Sequence, residues 1–195
     1  PPYFFSESIT YSSRIIPLEI STPEMNTFTS IYVYPHFVFA LILILLTYLL
    51  FYLGWTQNKL KFILLASLTS YILAIIHPYD LIPILAITFI FSLITFIKER
   101  QFNKIPKYLL FVIASIIPLF YHLFVLSQPI YDSWKNININ LSPNPFSYII
   151  GFGLLFILSL YYLIHTKKEF DYSKLFLCTW IIINFLLLYA PLNNQ

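Results

Sequence analysis

From residue 36 onward the chain alternates long apolar runs with short polar breaks. The first run covers 36–54, about 19 residues without a charge, close to the ~20 that a helix needs to cross a ~30 Å hydrocarbon core. Further runs follow at 62–76, 81–97, 108–126, 146–164 and 175–190. This pattern predicts an all-α fold, a polytopic transmembrane helix bundle of about six spans over 35–195. The second run is short, roughly 22 Å at 1.5 Å per residue, so a re-entrant hairpin is the competing reading for that stretch.

Prolines set the boundaries. Pro35 suits the first position of the first helix, and Pro106 that of the fourth. Pro118 falls inside the fourth run, where it is expected to kink the helix. Ser142-Pro143-Asn144-Pro145 is a start signal for the fifth run, and Gly151-Phe152-Gly153 within it allows close approach of a neighbouring helix. Pro191 stops the sixth. The sharpest break is His77-Pro78-Tyr79-Asp80, where the proline pushes residue 77 out of the helical region and cannot itself donate a helical hydrogen bond. Asp80 stands where an N-cap belongs, with Leu81-Ile82-Pro83 as the next first turn. The four residues therefore read as a tight hairpin carrying an imidazole, a phenol and a carboxylate to one membrane surface. Residues 1–34 are different: rich in Ser, Thr and Glu, with no run of spanning length, they read as a polar extracytoplasmic segment.

Composition agrees with the pattern. The chain is 59% hydrophobic and 10% charged, with mean hydropathy +0.78, where a soluble domain carries about 25% charged residues. Its 16 Tyr and 20 Phe suit interfacial belts and helix packing. The lone Cys178 offers neither a disulfide nor a metal cluster. Charge then orients the bundle. Loops 56–61, 98–107 and 165–174 hold nine of the eleven Lys and Arg residues, leaving only Arg14 and Lys135 for the other side. By the positive-inside rule those three loops are cytoplasmic. Basic loop 98–107 is a cytoplasmic anchor that also suits anionic head groups. With no initiator Met and an abrupt end at Gln195, the chain reads as a piece of a longer protein.

The spans hold no Asp, Glu, Lys or Arg, which argues against an ion-coupled transporter. Polar chemistry collects at the outer surface instead: His36, His77, Tyr79, Asp80, His122 near the end of the fourth span, and Asp132 with Trp134 in the outer loop. Imidazoles and a carboxylate in one cleft can serve as general base, as ligands of a divalent cation, or as acceptors for sugar hydroxyls. The spacing of His36, His77 and Asp80 matches no metal-ligand signature. The plainer alternative stays open: His, Tyr and Trp favour interfaces in any case, and Asp80 caps a helix.

Four pieces taken in order carry a resemblance: Pro35-His36-Phe37, His77-Pro78-Tyr79-Asp80, Ser142-Pro143-Asn144-Pro145 with Gly151-Phe152-Gly153, and Tyr189-Ala190-Pro191-Leu192-Asn193-Asn194-Gln195. Over roughly 25–195 the chain resembles bacterial polytopic membrane proteins similar to the GT-C glycosyltransferases, which include the dolichyl-phosphate-mannose type of mannosyltransferase. The resemblance implies an enzyme of the bacterial plasma membrane, acting at its outer face, that moves a sugar from a polyprenyl-phosphate carrier to an acceptor. Its partners would be the bilayer and the polyprenyl-phosphate-sugar donor, with no nucleic acid. Candidate catalytic residues are Asp80 and His77, and candidate substrate-binding residues are His36, His77, Tyr79, Asp80, His122, Trp134 and Gln195. GT-C enzymes carry their catalytic acid in a first outer loop that has no counterpart here, and the similar proteins follow the final Gln with two arginines that this chain lacks. A transporter or flippase for a lipid-linked or small polar substrate is the alternative, and a non-enzymatic membrane scaffold a third.

Overall fold

The computed structural model describes residues 35–131, 153–154, 157–158, 161–162 and 171–188. The segment 1–34, most of the expected span at 146–164, and the residues Asp132, Trp134 and Gln195 lie outside the described residues. Within them the chain is all-helical, with no strand. Five helices carry the fold: α1 (Pro35–Thr56), α2 (Leu60–Ile76), α3 (Leu81–Glu99), α4 (Ile105–Leu126) and α5 (Tyr172–Leu188). Short 3₁₀ turns at Pro78–Asp80, Phe102–Lys104 and Pro129–Tyr131 make the corners.

Three helical stretches are long and apolar enough to cross a membrane: His36–Thr56, Pro78–Glu99 and Phe102–Leu126, of 21, 22 and 25 residues. At 1.5 Å per residue they reach about 31, 33 and 38 Å. α2 and α5, with 17 residues each, are shorter apolar helices. Exposure makes the same point. Leu49, Leu68, Ile97, Ile113 and Phe120 are more than half exposed, an apolar surface that water would not tolerate on a monomer. The molecule is an integral membrane protein.

Helix order follows from the connections. Three residues separate α1 from α2, and four separate α2 from α3, so these helices alternate in direction. α2 packs between α1 and α4, while α3 lies along α5 and touches α1. Chain direction then sends α1 and α3 toward one end, from which α2 and α4 set out, and the hydrogen bond between Tyr52 and Ser173 sets the start of α5 at the same end. Lys59, Lys61, Lys98, Arg100, Lys104, Lys107 and Lys174 all lie at that end, and among the described residues the opposite end holds no Lys or Arg.

The core is built from aromatic rings and hydroxyls. Phe51, fully buried, packs against Phe111 with centroids 4.8 Å apart and stacks on Trp55 at 5.9 Å. Hydroxyls tie helix to helix. Thr47 on α1 donates to Thr69 on α2 at 2.8 Å, and Thr69 passes its own proton to the Ala66 carbonyl at 3.0 Å. Ser70 on α2 and Ser115 on α4 meet at 2.7 Å. Because Ser115 spends its single proton on the Phe111 carbonyl, Ser70 is the donor. Bonds of this kind average about 0.6 kcal/mol in membranes, so they set register more than stability. α4 runs without a break through Pro118, which is buried.

Gly54 lets α1 come close to the start of α2. A Cβ there would stand 2.7 Å from the Ile63 Cδ1 and 2.9 Å from the Ile63 backbone nitrogen. A side chain can rotate away, but a backbone nitrogen moves only with its helix. Gly54→Ala is therefore expected to destabilise the bundle by about 1–3 kcal/mol, the usual cost of overpacking, as read by denaturation of the protein in detergent. An unchanged midpoint would mean that the α1–α2 contact yields freely.

Candidate functional site

The site is assembled where α2 stops. His77 precedes Pro78 and adopts φ −144°, ψ 74°, outside the helical region, as a pre-proline residue must. Its N–H still closes the last turn of α2 on the Leu73 carbonyl at 2.7 Å. Pro78–Asp80 then forms one 3₁₀ turn, and α3 begins at Leu81. This corner is the hairpin expected from the sequence.

The role of Asp80 differs from expectation. It holds the N-cap position of α3, yet its side chain makes no capping hydrogen bond. Its backbone, at φ −71°, ψ −13°, is already helical, whereas capping needs an extended residue whose oxygen folds back over the first free N–H groups. The carboxylate turns to His77 instead, with Oδ2 2.8 Å from Nδ1. The ring N–H points off the line to that oxygen, so the contact is a charge pairing more than an aligned hydrogen bond. Both side chains are about a quarter exposed, at 22% and 27%. Direct pairing with Asp80 raises the imidazole pKa above its ordinary 6.5, outweighing the burial that pulls it down.

That direction fixes a pH dependence. A histidine whose folded pKa lies above its unfolded value adds stability that is full below pH 6.5 and is lost as pH rises through the folded pKa. The His77 ring is expected to titrate above 6.5 by NMR and to fall back when Asp80 is replaced by Asn. A ring that titrates identically in both proteins would dissolve the pair.

Rings wall the pair in. Phe37, in the first turn of α1, meets the His77 ring edge-on with centroids 5.1 Å apart. His36 lies against Phe37 at 4.4 Å and is exposed. Tyr79 stands 6.2 Å from His77 and is 52% exposed. Phe37 is thus the ring that α1 sets on the pair, a contact the sequence reading missed by favouring the neighbouring imidazole.

His122 shares this end. α2 and α4 run in the same direction and touch at Ser70 and Ser115. Seven residues further, two turns or about 10.5 Å, the two chains reach His77 and His122, at one depth. α4 also touches the Pro78–Asp80 turn. The Nε2 atom of His122 is buried without a hydrogen-bond partner. Among the described residues no group of three or more His, Cys, Asp and Glu is arranged to hold a metal ion.

A second polar cluster sits at the basic end. Lys104 is 4% exposed, and its ammonium lies 2.8 Å from Glu99 and 5.4 Å from the centre of the Trp55 ring. Trp55 donates to Thr95 at 2.7 Å, and Lys107 donates to the Asn58 carbonyl at 2.7 Å. In the sequence Lys104 is one residue of the basic loop 98–107. Nothing in its own neighbourhood marks it, because the burial comes from α1 and α3.

No family model matches this chain, and no curated protein or solved structure matches it either. The functional reading rests on the residues themselves.

Proposed function

We propose that the protein is an outer-facing membrane glycosyltransferase of GT-C type, a bundle of about six spans that uses His77 and Asp80 at the acceptor. The basic end faces the cytoplasm by the positive-inside rule, which sets the His77–Asp80 turn at the outer face. One observation carries the reading: a carboxylate paired with an imidazole, part-exposed, at the end that holds no described Lys or Arg.

The chemistry follows from the pair. The Asp80 charge beside Nδ1 favours the proton on that nitrogen, which leaves Nε2 as the basic atom, and it stabilises the imidazolium that forms. An acceptor hydroxyl gives its proton to Nε2 as its oxygen bonds to the anomeric carbon. The bond from that carbon to the carrier phosphate breaks, and the polyprenyl phosphate leaves with the electron pair. A base whose pKa sits near the working pH is the efficient one, and the upward shift of His77 moves it that way.

The buried hydroxyls favour an enzyme over a transporter. Thr69 and Ser115 accept from a neighbouring helix and donate to a carbonyl of their own. Their protons are committed, so they are glue between helices and not a polar path. Native mass spectrometry of the protein in mild detergent tests the proposal. A co-purifying polyprenyl phosphate, bare or carrying a sugar, is expected. Bulk phospholipid alone, together with uptake of a solute into proteoliposomes, would overturn it in favour of transport.

A further inference from the structure

An open groove of about 260 Å³ runs between α1 and α5. Its α1 wall is Leu45, Tyr48, Leu49 and Tyr52, and its α5 wall is Ser173, Phe176, Leu177 and Trp180. Each set has the spacing i, i+3, i+4, i+7, one face of one helix. The rings interlock: Tyr48 and Tyr52 meet Phe176 edge to face at 5.6 and 5.7 Å, and Tyr48 lies tilted against Trp180 at 4.9 Å. They form a fixed floor, while Leu49 and Leu177 on the rims are 54% and 42% exposed.

The groove has a direction. At one end the Tyr52 hydroxyl and Ser173 Oγ meet at 2.8 Å, exposed. The remaining lining side chains are hydrocarbon but for the Tyr48 hydroxyl and the Trp180 indole N–H. The Tyr52–Ser173 end is the basic end. Lys174 adjoins Ser173, Lys59 follows α1 by three residues, and among the described residues that end carries seven Lys and Arg against two acids, Glu99 and Asp171. An apolar slot with a hydroxyl mouth under a cationic surface matches a chain joined to an anionic head group. We propose that this groove holds one acyl chain of an anionic phospholipid, with its phosphate among Lys59, Lys174 and the Tyr52–Ser173 hydroxyls. The site lies at the opposite end of the bundle from the His77–Asp80 turn, so it does not depend on the function proposed above.

The test uses the full chain, delipidated in mild detergent and offered equimolar phosphatidylglycerol and phosphatidylcholine with the same acyl chains, with bound lipid counted by native mass spectrometry. One phosphatidylglycerol is expected per protein, retained about five- to tenfold over phosphatidylcholine. The double variant Lys59→Gln/Lys174→Gln should bring that ratio within about twofold. Leu49→Trp, or Leu177→Trp from the other wall, should fill the slot and abolish retention of both lipids without lowering the thermal midpoint. Equal retention of the two lipids by the natural protein would overturn the proposal. So would undiminished retention in both Trp variants, a lipid-free dimer in which a second copy covers the groove, or a lipid-free monomer.

Discussion

Asp80→Asn is expected to lower sugar transfer by about 10²–10⁴-fold, the contribution of a positioned general base, with membrane insertion and helix content unchanged. The substitution keeps size and shape but removes the charge 2.8 Å from His77 Nδ1. Two consequences follow. The imidazole loses the pairing that raises its pKa, and in the proposed reaction the imidazolium loses its counter-charge. Helix α3 loses little, because Asp80 makes no capping hydrogen bond to it. The pH profile separates this role from a structural one. In the natural protein the acid limb of transfer should follow the raised His77 pKa, and in the variant that limb should move to lower pH along with the lower rate. Transfer that falls only in proportion to the amount of folded protein, with an unmoved limb, would assign Asp80 to structure. Unchanged transfer would remove the pair from the site.

The hairpin at His77–Asp80 was legible in the sequence because its cause is local. A pre-proline residue leaves the helix whatever surrounds it, and five of the six apolar runs correspond to helices whose ends fall within a few residues of expectation. The side-chain partner of Asp80 was not legible. Capping and pairing with His77 compete for the same carboxylate, and three residues of sequence do not say which backbone angles position 80 adopts. His122 lies about one turn from the C-terminal end of its helix, a position legible in the sequence, but its depth relative to His77 depends on the Ser70–Ser115 contact, which fixes two parallel helices in register. The hydroxyls within the spans were visible, their mutual pairing was not. Hardest to see was Lys104: in a loop of basic residues nothing distinguishes the one that α1 and α3 bury.

Replacing Lys104 by Met is expected to destabilise the protein by about 3 kcal/mol. Breaking a buried ion pair from one side costs about 3–5 kcal/mol because the other charge stays behind unpaired. The lower end applies because Glu99 keeps 13% of its side chain exposed. Glu99 suffers further because its Oε1 is already buried without a hydrogen-bond partner, so loss of the ammonium leaves both oxygens unserved. The reverse change, Glu99→Met, is expected to cost less. Lys104 keeps the Trp55 ring beneath it, a cation–π contact worth about 0.5–2 kcal/mol, and its long stem can carry the ammonium outward to water. Glu99→Met/Lys104→Met removes both charges and should recover much of the loss, since well-packed apolar pairs often equal the ion pair they replace. SDS-titration unfolding of the detergent-solubilised protein measures all three. The expected order of stability loss is Lys104→Met, then Glu99→Met, then the double variant. Additive single losses would show that the two charges do not interact, and that the corner joining α3 to α4 is held by Trp55 and Thr95 without them.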